Sequence, residues 1–304
     1  MGVTMSATPQ LDALTAVAAQ HPQWRWYAIA DSAQDKSLPA AIAAPGASVR
    51  CLLGATQGSP LAEQSPHLVR LNPPSHGAAA WQWIARVAPR TPCVTVLASP
   101  LSFDALFEQL KQFTEIRLPD DFDMFFGFWD PAILGTLVGQ ADDETLHVKG
   151  AVLDDAQRQM LFGGLTGWRY WDRNGGLHRI EVGTDTPAVK LPAPIMLSQA
   201  QVDALVEAGV PDHVLYFVDL NQPHLLTSVP VRERYNYTKC ALRGAREIGL
   251  SGMMDLVNYV CMTLIFGAQW SNDERIANLL RRVKSKELDF SDAIKLLPSS
   301  KLDK

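Results

Sequence analysis

SFDALFEQLKQFTEIRLPDDFDMFFGFWDP, residues 102–131, decides how the rest of the chain must fold around it. Ser102 is placed to cap a helix, and Phe103, Leu106, Phe107, Leu110 and Phe113 recur at helical spacing on one face. A short strand and an acidic turn follow. Met124–Trp129 is almost wholly apolar and aromatic, which predicts a strand covered on both faces. Asp130-Pro131 then stops the strand, with Asp130 suited to cap the next helix. The segment is dense in packing and holds no nucleophile beside a base and no phosphate loop. It predicts a protein that holds something rather than one that transforms it.

Reading outward, the N-terminal part alternates helix and strand signals. Leu11, Leu14, Val17 and Ala18 form a helix face after Pro9. Trp24–Ala30, Val49–Leu53, His67–Leu71 and Cys93–Leu97 read as strands, and Trp81, Ile84, Val87 and Ala88 mark a helix closed by Pro89. Ile133, Leu134, Leu137 and Val138 make another short helix. Trp168–Trp171 and Leu177–Ile180 flank Asn174-Gly175-Gly176, which supplies the positive φ angles of a hairpin turn. The three prolines between Thr184 and Pro194 mark a linker. Beyond it, Ser198-x-x-Gln201 is a capping box opening a helix that Gly209 and Pro211 should close. Further helices are expected at Arg232–Ile248, Met253–Phe266, Asp273–Lys286 and Ser291–Leu297. The predicted fold is therefore an α/β lobe (1–185, a mixed sheet with flanking helices), a linker (186–196) and a mostly α-helical lobe (197–304).

Composition narrows the function. Hydrophobic content of 47% with 19% charge is that of a globular protein with real cores, and a net charge of −5 argues against nucleic-acid binding. Between Leu101 and Met160 twelve acidic residues face four basic ones, a surface for solvent or for a basic partner. The four cysteines (Cys51, Cys93, Cys240, Cys261) are isolated, as expected of a reduced cytoplasmic protein. No leader peptide is expected, and the longest apolar run, Leu256–Phe266, is too short for a membrane span of roughly 20 residues. Met1–Ser6 matches the short myristoylation pattern, which arises easily by chance.

Chemistry-bearing motifs are scarce. The chain has no G-x-S-x-G elbow, Walker A loop, G-x-G-x-x-G fingerprint or H-E-x-x-H helix. Gly163–Gly167 is glycine-rich but precedes a strand, the wrong order for a phosphate loop. Asp120, Asp121 and Asp123 lack the spacing of a calcium loop and read as a solvated turn. His67 and His76 flank Asn72-Pro73-Pro74 without further ligands to complete a metal site. We therefore expect no catalytic residue, no metal and no cofactor.

Six stretches stand in an order that resembles the family known as domain of unknown function 4123. They are Tyr27–Asp31, Ser65–Leu71, the tryptophan helix Trp81–Ile84, Ser102–Phe113, Phe128–Pro131 and Met160–Gly163. The resemblance implies an adaptor chaperone of type VI secretion: a non-enzymatic cytoplasmic protein that captures one effector, often by its N-terminal region, and loads it onto a VgrG-type spike. No nucleic acid and no stable membrane insertion are implied. The family-motif residues Asp31, Pro66, His67, Asp130 and Pro131 are expected to be structural. Partner contacts are expected from Tyr235, Tyr237 and Trp270, with Arg232 and Arg234 nearby. The family usually places arginines where this chain has Gly127 and Ala132. Two alternatives stand beside the adaptor: a degenerate α/β enzyme with Asp130 and His67 as remnants, or a structural component of the secretion machine.

Overall fold

In the computed structural model, which describes residues 8–182, 194–267 and 270–297, the chain divides into two compact units, Met1–Leu205 and Val206–Lys304. The first is a mixed α/β unit and the second is mostly helical, as the sequence predicts.

The first unit carries helices α1 (Thr8–Gln20), α2 (Ala79–Val87), α3 (Phe103–Lys111), α4 (Pro131–Val138) and α5 (Asp155–Phe162). Its strands are β1 (Arg25–Asp31), β2 (Val49–Cys51), β3 (Pro66–Leu71), β4 (Val94–Ser99), β5 (Glu115–Arg117), β6 (Asp123–Phe125), β7 (Gly167–Trp171), β8 (Leu177–Ile180) and β9 (Ile195–Met196). Six of them form one sheet in the order β2-β3-β1-β4-β7-β8, every pair antiparallel. Strand alternation sorts the side chains into two cores. Trp26, Ala28 and Ala30 of β1 join Leu14, Trp81 and Ile84 of α1 and α2 on one face. Tyr27 and Ile29 join Leu106, Leu134 and Leu161 of α3, α4 and α5 on the other. Burial on both faces explains why these strands read as unbroken apolar runs although their pairing is antiparallel.

The helix starts are set locally. Ser102 Oγ accepts the Ala105 N–H at 3.3 Å, and Asp130 Oδ1 accepts the Ala132 N–H at 2.8 Å with Pro131 in the first helical turn. At the other end of α4, Gly139 takes φ 66°, and a Cβ there would collide with the backbone of Ala151. Asp130→Ala is expected to cost about 1 kcal/mol, read as a lower urea midpoint at unchanged slope. Helix α5 has no apolar period in the sequence; its signal is the capping box of Asp154 with Gln157.

The aromatic run after α3 departs from the sequence expectation. Met124–Trp129 is not one buried strand. Only Asp123–Phe125 pair, antiparallel to β5, in a small second sheet of order β6-β5-β9. The ladder ends where the Phe126 N–H donates to the Thr114 carbonyl, and a turn then closes with the Asp130 N–H on Gly127 O. Phe126, Phe128 and Trp129 go into the core, whereas Met124 and Phe125 stay outside.

The division between the units also moves. The expected linker lies for the most part outside the described residues, but Ile195–Met196 form β9, parallel to β5. The predicted capping box is present: Ser198 N–H donates to Gln201 Oε1 at 2.9 Å, and Gln201 N–H to Ser198 Oγ at 3.4 Å. It opens α6 (Gln199–Asn221), whose Val202 and Leu205 pack on the first unit's core.

Gly209 and Pro211 do not close α6, which continues to Asn221. Pro211 removes one backbone donor at a cost of about 3 kcal/mol in an exposed helix, but here Val210, Pro211, Val214 and Val218 are buried, and tertiary packing holds the helix. The second unit completes its core with α7 (Arg234–Glu247), α8 (Met253–Phe266), α9 (Glu274–Lys284) and α10 (Phe290–Lys295). Asp273 caps α9, accepting from Arg275 N at 2.9 Å.

Candidate functional site

The family-motif residues form a structural bracket around the end of β1. Asp31 Oδ1 accepts the Ala33 N–H at 2.9 Å, and Oδ2 faces Trp129 Nε1 at 3.3 Å. Pro66 opens β3 opposite Asp31, and its carbonyl accepts the Leu52 N–H. His67 is buried beside them. Its Nδ1 lies 2.9 Å from the Ser65 carbonyl and 3.3 Å from Ser32 Oγ. A carbonyl only accepts, so Nδ1 carries the proton and is no base for the Ser32 hydroxyl. Asp130 and Pro131 start α4. None of these arrangements activates a nucleophile.

Burial pushes the His67 imidazole below its ordinary value of 6.5, with the Ser65 hydrogen bond and the Asp31 charge opposing more weakly. A histidine depressed in the folded state takes up more protons when unfolded. Its contribution is complete above about 6.5 and is lost as pH falls from there toward the folded value. His67→Asn should therefore flatten the loss of Tm between pH 7.5 and pH 5, measured by thermal denaturation against the unaltered chain.

What the bracket positions is apolar and exposed. Trp129, held by Asp31, lies under Phe125 in an edge-to-face contact with ring centroids 5.5 Å apart. Phe122, Phe125, Met124 and Met196 expose 62%, 54%, 41% and 64% of their surface, against buried neighbours Ile116 and Ile195. By register, Phe125 and Met196 share the outer face of the small sheet with Glu115, Arg117 and Asp123. Hydrogen bonds from Phe126 N to Thr114 O and from Leu118 N to Phe122 O fix the ladder, so the N–H and C=O of Asp123 and Phe125 point away from β5. Among the described residues β6 ends its sheet, and those groups form an open edge. Beside it runs a groove of about 660 Å³ lined by Leu52, Leu53, Lys111, Thr114, Glu115 and Phe125.

Charge frames the edge. Arg117 pairs with Asp123 at 2.8 Å and with Asp121 at 3.5 Å. The guanidinium holds the Asp123 carboxyl below its usual range, first through the hydrogen bond and then through its charge. Asp120 and Glu115 add further exposed acid. The acidic turn is thus solvated, as its sequence predicts, and the structure adds its ion pairs with Arg117.

The residues expected to grip a partner in the helical unit do not form a surface. Tyr235 and Trp270 are buried in its core, where Trp270 meets Tyr259 edge-to-face at 5.3 Å. The Tyr237 hydroxyl donates to Thr263 O at 2.7 Å, tying α7 to α8, and Arg234 Nε donates to Val229 O at 3.2 Å. Of the five, only Arg232 is exposed. Tyr235 and Tyr237 read as contact residues because α7 is polar overall, but Tyr235 lies on its buried stripe and Tyr237 is half-buried beside it. Exposed apolar groups occur instead at Leu61, Phe122, Phe125 and Met196 in the first unit, and at Val206, Tyr216, Leu220, Val231, Met254 and Leu296 in the helical unit.

Residues 26–148 match the family model described as a domain of unknown function (DUF4123). No curated protein and no solved structure matches the chain.

Proposed function

From a chain that carries a DUF4123 domain over residues 26–148, we propose an adaptor chaperone that binds a type VI secretion effector and loads it onto a VgrG-type spike. It works in the cytoplasm, without a cofactor and without catalysing a reaction. The observation that carries this reading is the open apolar edge of β6, an expensive surface to leave in water unless a partner covers it. An extended effector segment adds to that edge as a further strand: its backbone pairs with Asp123 and Phe125, and its side chains cover Phe122, Met124 and Phe125. Glu115, Asp120, Asp121 and Asp123 line the same edge, so the segment that fits alternates apolar with basic residues. Among the described residues no helix is long and apolar enough to cross a membrane.

The family arginines replaced by Gly127 and Ala132 are not needed for this edge. Asp31 anchors Trp129, and Asp130 caps α4, so the bracket stands on other residues. Affinity-tagged chain should co-purify from its native cells with one secreted toxin, and deletion should abolish that toxin's delivery. A toxin that stays soluble and is delivered normally without the chain would overturn the proposal.

A further inference from the structure

A second group of side chains gathers at the β7–β8 hairpin, outside the docking edge. His178 of β8 is buried between two carboxylates, with Nδ1 3.1 Å from Asp142 Oδ2 and Nε2 2.8 Å from Asp172 Oδ2. Tyr170 stacks on the imidazole, ring centroids 5.2 Å apart, and its hydroxyl donates to Asp143 Oδ2 at 2.9 Å. One donor atom each from Asp143, Asp172 and His178 lies within 4.8 Å of the other two.

The outer contacts of this group fix its inner geometry. Asp172 Oδ1 accepts the N–H groups of Asn174 and Gly176, both at 2.8 Å, which leaves Oδ2 facing the imidazole. Asp143 Oδ1 accepts the Thr145 N–H at 2.8 Å and its hydroxyl at 2.6 Å, which leaves Oδ2 facing inward. Each carboxylate spends one oxygen on its own loop; the other faces the imidazole in Asp172 and accepts the Tyr170 hydroxyl in Asp143, and each of these keeps a second lone pair that a cation can take. Asp142 occupies Nδ1, so Nε2 is the nitrogen left to coordinate. An outer carboxylate on one imidazole nitrogen, with the other turned to a pair of fixed carboxylate oxygens, is the arrangement that orients metal ligands. Three carboxylates around one imidazole also leave an excess of negative charge even when the ring is fully protonated, and Asp143 and His178 are buried.

We propose that His178 Nε2, Asp172 Oδ2 and Asp143 Oδ2 bind one divalent transition cation of the Zn²⁺ type, with Asp142 holding the imidazole through its Nδ1–H. The cation takes the place of the proton between Nε2 and Asp172, and that proton leaves to solvent. Three protein ligands leave a fourth, open position for water. Bonds of about 2.0–2.2 Å place donor atoms about 3.4 Å apart, so the widest pairs close by about an ångström. An imidazole nitrogen among the donors selects against Ca²⁺ and Mg²⁺, which take oxygen.

The test uses full-length chain stripped with a chelator and desalted. Zn²⁺ is titrated against a chromophoric chelator, and Co²⁺ is added separately to read its visible d–d absorption. One equivalent of Zn²⁺ should bind and raise Tm, with millimolar Ca²⁺ giving no shift. Asp172→Asn and Asp143→Asn keep the loop hydrogen bonds through the amide oxygen and should lose at least tenfold in affinity while remaining folded by circular dichroism. Asp142→Asn should lose roughly tenfold to a hundredfold. His76→Gln, an exposed histidine paired with Asp12, should bind as the unaltered chain does. Absence of stoichiometric binding, or binding and Co²⁺ spectra unchanged in the folded Asp172→Asn and Asp143→Asn chains, would overturn the assignment.

Discussion

Phe128→Ala should destabilise the first unit by about 3–5 kcal/mol, the usual cost of deleting a buried aromatic side chain. Phe128 has no exposed surface and meets Trp129 and Trp168 edge-to-face, at 5.0 Å and 5.9 Å between centroids. Truncation leaves a cavity between two large rings that sit on different elements, so neither can collapse into it without losing its own contacts. For a unit of this size each kcal/mol is worth about 2–4 °C, which places the fall in Tm at roughly 6–20 °C. Phe125→Ala, three residues away, should stay within about 0.5 kcal/mol of the unaltered chain because its ring is mostly in water. Thermal or denaturant unfolding of the two variants side by side separates core from surface within one aromatic run.

The second large effect belongs to the same run and concerns binding alone. Phe122→Asp combined with Phe125→Asp should weaken effector binding by about a hundredfold or more while leaving Tm within 2–3 °C, a shift on the order of 1 kcal/mol. Covering one aromatic ring contributes about 1.5–3 kcal/mol, so losing two removes 3–6 kcal/mol, or two to four orders of magnitude in Kd. The new carboxylates also add to the acidic groups Asp120, Asp121 and Asp123 beside an edge for which we propose a basic partner segment. Isothermal titration of the purified pair gives the affinity. A loss of binding in proportion to a loss of stability would assign both rings to the fold.

How far sequence alone could carry the fold depends on where each residue's environment is decided. The strands of the main sheet were readable because both faces are covered, so Trp26–Ala30 is apolar throughout and Val94–Ala98 is interrupted only by the buried Thr95. The starts of α3, α4 and α6 were readable because Ser102, Asp130 and Ser198 act within three residues of themselves. Errors arose where distant partners decide. Apolar composition could not show that, among the described residues, β6 has only β5 beside it, so Phe125 and Phe128 looked alike though one is half in water and the other dry. Pro211 is a strong local stop signal, overridden by the burial of Val210, Val214 and Val218. The candidate contacts Tyr235 and Trp270 are buried for the converse reason: an aromatic ring among polar neighbours says nothing of which side it faces until the chain is packed. The proposed docking edge had one sequence signal, the unbroken apolar run beside an acidic turn, and its exposure was the unreadable part. The carboxylate–histidine cluster joins Asp142 and Asp143 to Asp172 and His178 across the fold, a juxtaposition no local pattern encodes.

The central claim is that an extended effector segment pairs with the free edge of β6. Hydrogen–deuterium exchange of the chain, alone and in complex with its co-purified effector, tests this directly. The account predicts new protection of the Asp123 and Phe125 amides in the complex, with the β5 amides that already pair inward changing little. A stable complex in which the Asp123 and Phe125 amides exchange as fast as in the free chain, with protection gained elsewhere, would contradict it.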